Sequence, residues 1–352
     1  NYKGLKIKEA RKQILEDLKE KNLIIKQEEI THNVNVYEKS QEEIEFIPTE
    51  QWFIKILDKK KKFISLGKKI EWLPSHMRKR YDNWIKGLEW DWSISRERHF
   101  GIPIPAWHCK SCNKTIIADK KELPLDPTET KKICKNCKKP LTPETKVLDT
   151  WATSSLTPQI ASSLVKNKIK IPYSLRPQAH DIIRTWAFYT IVRSHEHENS
   201  IPWKDIAISG NVKLEGEKMS KSKGNVIRPQ EVMEQYGTDA LRYWASSSKL
   251  GEDLNYYEKD VVTGKKFVTK IINATRFAFM NIQYQKTQPK LLETDRLFLN
   301  ELNKTIESAT KAFDNYNYSQ AKSIADNFFW KTLADNYLEI IKTRIYKGTK
   351  EK

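Results

Sequence analysis

The chain has 352 residues, of which 31% are charged and 38% hydrophobic, and this length suits two or three globular domains. No apolar run is long enough to span a membrane and the first residues lack the apolar stretch of a signal peptide, which predicts a cytoplasmic protein with no membrane partner. Lys and Arg exceed Asp and Glu by 63 to 45, and this net charge of +18 favours a nucleic-acid partner, although a general lysine bias explains it equally well.

The N-terminal part mixes one helical and one strand-like pattern. Residues 6–23 carry apolar side chains at three- and four-residue steps, which predicts an amphipathic helix. The polar stretch 31–48 is strand-like. From Trp84 to Trp92 the chain carries a cluster of tryptophans, a pattern typical of a core or an interface. The chain opens with Asn1 in the middle of this pattern, so we expect that a longer polypeptide continues upstream.

The four cysteines form two close pairs, Cys109 with Cys112 and Cys134 with Cys137. This spacing is typical of two knuckles that together hold one tetrahedral Zn²⁺. Disulfides are rare in a reducing cytosol, so the alternatives are unpaired structural or redox-active thiols. The cysteine pattern therefore predicts a zinc site with four thiolate ligands.

The segment around these cysteines, residues 107–141, is polar and lysine-rich with few large apolar residues. Metal binding must therefore supply much of its folding free energy. His108 lies beside the first cysteine pair, but four cysteines already complete the ligand set, so we interpret His108 as a turn residue.

Residues 168–212 change to an α/β pattern. An apolar strand is predicted near 171–175, a helix from about 181 to 194, and a second strand near 206–212. Two strands joined by a helix imply a parallel sheet with a right-handed crossover. This part of the chain therefore predicts one unit of a nucleotide-binding α/β fold.

Parallel strands end at the same edge of a sheet. The turn 177–181 and the loop 213–225 follow the two predicted strands, so we expect both at that edge, where nucleotides bind in open α/β sheets. Beyond Gly264 the apolar periodicity is helical through 297–313 and 321–345, with no strand signals. The predicted fold class is thus a partial Rossmann-type parallel sheet with a zinc-knuckle insert, followed by an all-α helical bundle.

The segment 216–225 carries three lysines and two serines between two glycines. Ammonium groups beside a leaving pyrophosphate stabilise its developing charge, so this composition suits a triphosphate. Glycines at either end would let the loop close over a nucleotide and reopen. From the residues alone, an exposed lysine turn in a lysine-rich protein remains the alternative.

Within that segment, residues 218–222 read KMSKS, and the chain here resembles the class I aminoacyl-tRNA synthetases. The similarity extends to residues 91–105, which carry DWSIS and GIPIP, and to YGTDALR at 236–242. Residues 149–156 (DTWATSSL) and 176–184 (RPQAHDIIR) are similar to the valyl enzymes, especially the archaeal type. The resemblance covers nearly the whole chain.

This resemblance implies three parts of a synthetase. Residues 1–50 would be the end of an editing insert, and 51–262 the C-terminal half of a Rossmann catalytic domain. The latter would contain the zinc knuckle 107–141 and the motif loop 213–225. Residues 263–352 would be the first helices of an anticodon-binding domain.

The resemblance also implies roles for individual residues. Lys218 and Lys221, the two lysines of the motif, would be catalytic and would hold the ATP phosphates. The ATP-binding set would be Lys218, Met219, Ser220, Lys221 and Ser222, with Met219 packing the loop. The residues that line or orient the amino-acid pocket would be Trp151, Asp181 and Ile182. Without the resemblance, a structural role is an alternative for two of these residues: Asp181 could be a helix N-cap and Trp151 a core residue.

The function implied is ATP-dependent attachment of valine to its tRNA through valyl-adenylate, with ATP, Mg²⁺ and Zn²⁺ as cofactors. The partners would be valine, valine tRNA isoacceptors and an upstream half of the synthetase, because the chain lacks the HIGH-type motif that class I enzymes need. An isoleucyl or leucyl enzyme is the alternative within the class, since one methylene changes binding by only about 1–3 kcal/mol. A non-catalytic tRNA-binding fragment is the alternative outside it.

Overall fold

The fold is described from a computed structural model of the chain. The structure describes residues 2–37, 40–165, 169–221, 224–282 and 290–347. The chain divides into two compact units, Asn1–Glu50 and Gln51–Lys352.

The first unit contains helix α1 (Ile7–Glu20), which confirms the predicted amphipathic helix. The strand-like interpretation of 31–48 is wrong for its described residues, which form only an isolated bridge between Val36 and Glu43. Most side chains there are exposed. A strand needs a partner strand and an apolar face to bury, and this polar stretch has little of either.

The second unit alternates strands and helices before it becomes purely helical. Its strands are β1 (Phe53–Ile54), β2 (Glu71–Leu73), β3 (Trp92–Ser93), β4 (Ser95–Arg96), β5 (Ala106–His108), β6 (Thr115–Ile117), β7 (Thr142–Pro143), β8 (Val147–Leu148), β9 (Tyr173–Ala179), β10 (Trp203–Ser209), β11 (Val212–Leu214), β12 (Glu217–Lys218) and β13 (Leu254–Tyr256). Its helices are α2 (Lys60–Gly67), α3 (Arg78–Lys86), α4 (Thr150–Ser154), α5 (Thr157–Leu164), α6 (Phe188–Glu198), α7 (Pro229–Tyr236), α8 (Thr238–Ala245), α9 (Glu258–Asn281), α10 (Glu293–Asp314), α11 (Tyr318–Asn327) and α12 (Leu338–Lys347).

The central sheet has the strand order β2-β10-β9, and both pairings are parallel. This confirms the predicted parallel α/β fold. The strand expected near 171–175 begins at Tyr173 and continues to Ala179, so Pro177 lies inside β9 rather than in a turn. Within the described residues β9 pairs with β10 alone and so lies at an edge of this sheet.

The core lies between this sheet and the helices α2, α3 and α6. Phe63, Tyr81, Phe188 and Ile206 are 0 to 1% exposed. The Tyr81 hydroxyl donates to the Phe63 carbonyl oxygen at 2.9 Å, so the buried polar group is satisfied. Burial of each large apolar side chain stabilises the fold by roughly 1.5–3 kcal/mol. This core therefore holds the helices against the central sheet.

The crossover between β9 and β10 differs from the single helix predicted over 181–194. It starts with a 3₁₀ turn, His180–Ile182, passes through a π-helical turn, Ile183–Ala187, and only then becomes the α-helix α6. π turns of this kind are common at functional sites because they re-aim side chains. Apolar spacing alone does not distinguish them from an α-helix.

Two further features complete the second unit. β11 pairs with β12 in an antiparallel hairpin and with β13 in parallel. After β13 the described residues are helical and contain no strand, which confirms the predicted bundle. Asp295 of α10 is 9% exposed and accepts hydrogen bonds from Tyr337 and Arg344, which ties α10 to the last helical segment. None of the described helices combines the length and the apolar character that a membrane crossing needs.

Candidate functional site

The carboxyl ends of β9 and β10 lie at the same edge of the sheet, as the sequence predicts, because the two strands pair in parallel up to Ala179 and Ser209. The 3₁₀ turn 180–182 follows β9, and the segment 210–225 follows β10. Gly210 begins this segment, and a Cβ there would lie 2.2 Å from the carbonyl oxygen of Glu252. Only glycine lets the two backbones approach this closely.

His180 connects three chain segments at this edge. Its Nδ1 lies 3.1 Å from Arg80 Nη1, and its Nε2 lies 3.1 Å from Asn211 Nδ2. A guanidinium group can only donate, so His180 Nδ1 accepts from Arg80. The Asn211 backbone N–H donates to Asp253 at 2.8 Å. The histidine thus joins α3 to the chain that leaves β10, and nothing in its spacing signalled this role.

The segment expected to be a loop from residue 213 starts as the β11–β12 hairpin. Its turn residues Glu215 and Gly216 have φ angles of 52° and 84°, the left-handed region that favours glycine. Lys213 Nζ lies 2.8 Å from Asp253 Oδ2. The hydrogen bond from Lys213, followed by that from the Asn211 backbone, lowers the pKa of Asp253. The contacts of Lys213 and Asn211 with Asp253 therefore hold the first strand of the hairpin in place.

The described residues after the hairpin form a closed turn. The Ser220 backbone N–H donates to Asn225 Oδ1 at 2.8 Å, and Asn225 Nδ2 donates to the Lys218 carbonyl oxygen at 3.4 Å. Gly224 has a φ angle of 70°. Asn225 therefore binds the backbone of Lys218 and Ser220 at the start of the motif.

The predicted ATP-binding residues differ in exposure. Met219 is half-buried and packs against the apolar cluster that includes Val232 and Trp244. Ser220 is half-buried and Lys221 is exposed. Ser222 lies outside the described residues. A loop that is anchored by Met219 and presents Lys221 to solvent suits a polyanionic ligand.

The structure brings Lys218 and Asp181 together. Lys218 Nζ lies 3.4 Å from Asp181 Oδ2, and both side chains are about half exposed. Asp181 lies within the 3₁₀ turn and makes no N-cap hydrogen bond, so the interpretation as a helix N-cap is wrong. Ile182 is half-buried against the core. Lys218 is predicted to bind ATP phosphates and Asp181 to bind the ammonium group of the amino acid, so the ion pair brings these two predicted binding residues together.

Trp151 lies on a separate element, the short helix α4. Its side chain is not in the core, because the residue is 36% exposed. The Asp149 side chain accepts from the Trp151 backbone N–H at 2.7 Å and so caps α4. At the other end, Trp186 Nε1 donates to the Ser154 carbonyl oxygen at 3.1 Å. α4 is thereby tied to the π-helical turn that follows Asp181.

The four cysteine sulfurs lie within 4.8 Å of one another. The Sγ atoms are 3.3 Å apart between Cys109 and Cys137, and 3.7 Å apart between Cys112 and Cys134. Tetrahedral zinc with Zn–S bonds near 2.3 Å requires sulfurs about 3.8 Å apart. The described residues contain this one group of potential metal ligands, and its donors and spacing fit a tetrahedral thiolate site.

Each cysteine pair belongs to a tight turn. Asn113 and Lys138 follow the pairs with φ angles of 51° and 60°, and the backbone N–H of Cys134 donates to the Lys139 carbonyl oxygen at 2.9 Å. The backbone N–H groups of Cys137 and Asn136 donate to the Cys134 sulfur and outweigh its burial, which lowers the pKa of this thiol to about 6. A thiolate at neutral pH is the form that binds a metal.

Sequence reasoning missed Glu144, a 7% exposed residue below the knuckle. Its carboxylate accepts from Trp52 Nε1 at 2.7 Å and from the Lys146 backbone N–H at 2.9 Å, and it lies 3.1 Å from His108 Nε2. Burial raises the pKa of Glu144, but the hydrogen bonds from these donors have the larger combined effect and lower it to about 2. His108 lies in β5 and is engaged with Glu144, so it is not a turn residue.

Comparison with known proteins places this geometry in a family. Residues 4–257 match the tRNA synthetases class I (I, L, M and V), and residues 295–352 match the anticodon-binding domain of tRNA ligases. The Valine–tRNA ligase of Picrophilus torridus is 47% identical over 355 residues, which cover 99% of this chain and 46% of that protein. The Valine–tRNA ligase of Archaeoglobus fulgidus is 45% identical, with 99% of this chain and 41% of that protein covered.

Two solved structures share the fold. The methionyl-tRNA synthetase of Mycobacterium tuberculosis, in complex with methionyl-adenylate, superposes with a TM-score of 0.65 at 16% identity, over 91% of this chain and 58% of that one. A LeuRS–tRNA–LeuAMS complex from Agrobacterium radiobacter K84 has a TM-score of 0.58 at 20% identity, over 69% of this chain and 36% of that one.

The chain spans less than half the length of the curated relatives described above. The family match covers the central sheet, the cysteine knuckle and the KMSKS hairpin together. This protein chain therefore belongs to the class I tRNA synthetases of the I, L, M and V group.

Proposed function

We propose that this chain forms part of a valine–tRNA ligase, which activates valine with ATP and transfers it to its tRNA. The observation that carries the proposal is identity of 45–47% to archaeal Valine–tRNA ligases over 99% of the chain, together with the KMSKS sequence that begins at Lys218 in the β11–β12 hairpin. Isoleucine and leucine activation are the alternatives that the assay below separates.

In the first step, a carboxylate oxygen of valine attacks the α-phosphorus of ATP, and the bond to the leaving pyrophosphate breaks. Lys218 and Lys221 would neutralise the charge that develops on that pyrophosphate. Mg²⁺ bound with ATP would neutralise part of the phosphate charge. In the second step, a ribose hydroxyl at the tRNA end attacks the valyl carbonyl carbon, and AMP leaves.

The amino acid would bind beside Asp181. The ammonium group of valine would take the place of Lys218 on this carboxylate, and Ile182 and Trp151 would line the pocket. The ion pair between Lys218 and Asp181 is exposed, so it costs little to break, on the order of 0–1 kcal/mol. Valine would thereby release Lys218 toward the phosphates.

The whole enzyme would contain an upstream half that supplies the HIGH-type motif. The edge strand β9 supports this role, because within the described chain it pairs with β10 alone. A parallel strand is normally buried and paired on both sides, so the free edge of β9 suits a strand from that half. Residues 1–50 would be the end of the editing insert.

Two further parts would serve tRNA. Cys109, Cys112, Cys134 and Cys137 would hold structural Zn²⁺, which maintains the knuckle near the acceptor end. The helices of residues 263–352 would bind the anticodon region, in accord with the anticodon-binding match over 295–352. The net charge of +18 favours contacts to the phosphate backbone.

The test is amino-acid-dependent ATP–pyrophosphate exchange by the whole synthetase, with valine, isoleucine and leucine compared. We expect valine to drive exchange and Lys221→Ala to slow it by about a hundredfold, because the lysine acts on transition-state charge. Lys304→Ala, on the exposed face of α10, is the matched control and should leave exchange unchanged.

Exchange driven better by isoleucine or leucine would contradict the valine assignment. No exchange with any amino acid, from a folded and zinc-loaded protein that binds tRNA, would favour a non-catalytic tRNA-binding role.

A further inference from the structure

Helix α4 carries Trp151. The position of this helix is set by a series of contacts that begins at strand β4. β4 and β8 pair antiparallel, with Arg96 opposite Val147. Asp149 follows β8 directly, and its backbone N–H donates to the Ile94 carbonyl oxygen at 2.7 Å. This pairing brings Arg96 and Asp149 side by side.

Asp149 uses its two carboxylate oxygens for different partners. Oδ1 accepts from the Trp151 backbone N–H at 2.7 Å, and Oδ2 lies 2.9 Å from Arg96 Nη2. Asp149 is 8% exposed, whereas the Arg96 side chain is 38% exposed, so the ion pair is buried on its carboxylate side. Arg96 is itself fixed, because Nη1 donates to the Ser95 carbonyl oxygen at 2.7 Å.

The same helix is held at its other end. Trp186 Nε1 donates to the Ser154 carbonyl oxygen at 3.1 Å, and Trp186 belongs to the π-helical turn directly after Asp181 and Ile182. α4 therefore has one anchor on the strand pair and one on the segment that carries the predicted ammonium-binding carboxylate. A five-residue helix has too few internal hydrogen bonds to keep its own orientation.

We propose that Arg96 and Asp149 are positioning residues that set the Trp151 ring for recognition of the amino acid. The proposal rests on the function proposed above, in which Trp151 lines the amino-acid pocket. Asp149 fixes the backbone at Trp151, and Arg96 fixes the carboxylate. Both residues act through Trp151 and need not contact substrate. Because Trp151 is assigned to the amino-acid pocket, their loss should weaken amino-acid binding more than ATP binding.

The variants separate the two contacts of Asp149. Asp149→Asn keeps an oxygen that can accept from the Trp151 N–H but loses the charge that pairs with Arg96. Asp149→Ala loses both. Arg96→Lys keeps the charge but loses the planar fork, and its side chain is 38% exposed, so this milder variant should fold. The control is Asp126→Ala, which removes a comparable side-chain cap, on Thr128, in the remote knuckle segment.

The first measurement is steady-state exchange kinetics of the whole synthetase. We expect the KM for the amino acid to rise about tenfold in Asp149→Ala and by smaller factors in Asp149→Asn and Arg96→Lys, with the KM for ATP changed less than about twofold. Asp126→Ala should change neither constant. Equal rises in both KM values, or lower melting temperatures with unchanged KM values, would overturn the proposal and leave a purely structural role.

The second measurement is hydrogen exchange at the Trp151 amide, which needs no activity. The amide should exchange about tenfold faster in Asp149→Ala than in the unmodified protein, and at an intermediate rate in Arg96→Lys. Unchanged exchange would overturn the proposal. Absent pyrophosphate exchange in the unmodified enzyme would instead count against the proposed function, and the Trp151 amide would still decide whether Asp149 and Arg96 position α4.

Discussion

At the scale of single residues, the buried carboxylate of Glu144 is stabilised in its ionised form by hydrogen bonds from Trp52 and the Lys146 backbone. The fall of its pKa from an ordinary value of 4.5 to about 2 corresponds to roughly 3 kcal/mol of stability for the ionised form. A carboxyl whose pKa is lowered by folding stabilises the protein above its unfolded pKa. That contribution is lost as the pH falls from about 4.5 towards 2.

We therefore expect Glu144→Gln to lower the free energy of unfolding at pH 7 by up to about 3 kcal/mol, because Gln keeps the shape but not the charge that Trp52, Lys146 and His108 stabilise. The difference from the unmodified protein should shrink as the pH falls below 4.5. Urea unfolding between pH 7 and pH 3 measures it. Glu301→Gln, an exposed pair with Lys304, should cost little at any pH; a pH-independent penalty at Glu144 would contradict the electrostatic origin.

At the scale of elements, the cysteine knuckle and the central sheet are stabilised differently. The sheet rests on a buried apolar core, whereas the knuckle has Trp107 as its main buried side chain and depends on the cysteine cluster. We therefore expect metal binding to supply folding free energy to the knuckle and not to the central sheet.

We expect a zinc chelator to unfold residues 107–141 and leave the central sheet folded. Limited trypsin digestion should then cut at the lysines of the knuckle, including Lys120 and Lys131, while α6 and β10 stay protected. Zinc content should be one ion per chain before chelation, and added zinc should restore protection. Trypsin resistance that survives complete metal removal would contradict a metal-dependent knuckle.

At the scale of the whole molecule, the net charge of +18 belongs to a chain whose C-terminal helices match an anticodon-binding domain. Phosphate contacts release bound counterions, so affinity that depends on them falls steeply with salt. We expect the affinity of the whole synthetase for valine tRNA to fall by about a hundredfold or more between 50 and 200 mM salt, as several phosphate contacts require.

Filter binding over that salt range measures the slope, and an unrelated tRNA serves as the matched control. Its affinity should be lower at each salt concentration but fall with a similar slope, since the phosphate backbone is the same. Salt-independent binding of valine tRNA would contradict an electrostatic contribution from the basic surface.

Local patterns were enough for much of the architecture. Paired cysteines, the KMSKS residues and the strand–helix–strand periodicity are visible along the chain, so the metal-ligand cluster, the parallel sheet and the helical bundle could all be predicted. Boundaries were less certain: β9 extends through Pro177 to Ala179, and α1 ends at Glu20. The stretch 31–48 shows the limit, because a strand-like composition does not reveal whether a partner strand exists.

The sequence by itself therefore determined which chemical groups and which types of element the protein has, because ligand spacing and apolar periodicity are properties of neighbouring residues. Only the tertiary structure decided which groups meet. Lys218 reaches Asp181, Glu144 reaches Trp52, and Arg96 reaches Asp149 across 37, 92 and 53 positions. Such contacts follow from strand register and helix packing, which depend on the whole core, and the local sequence does not indicate which residues will meet.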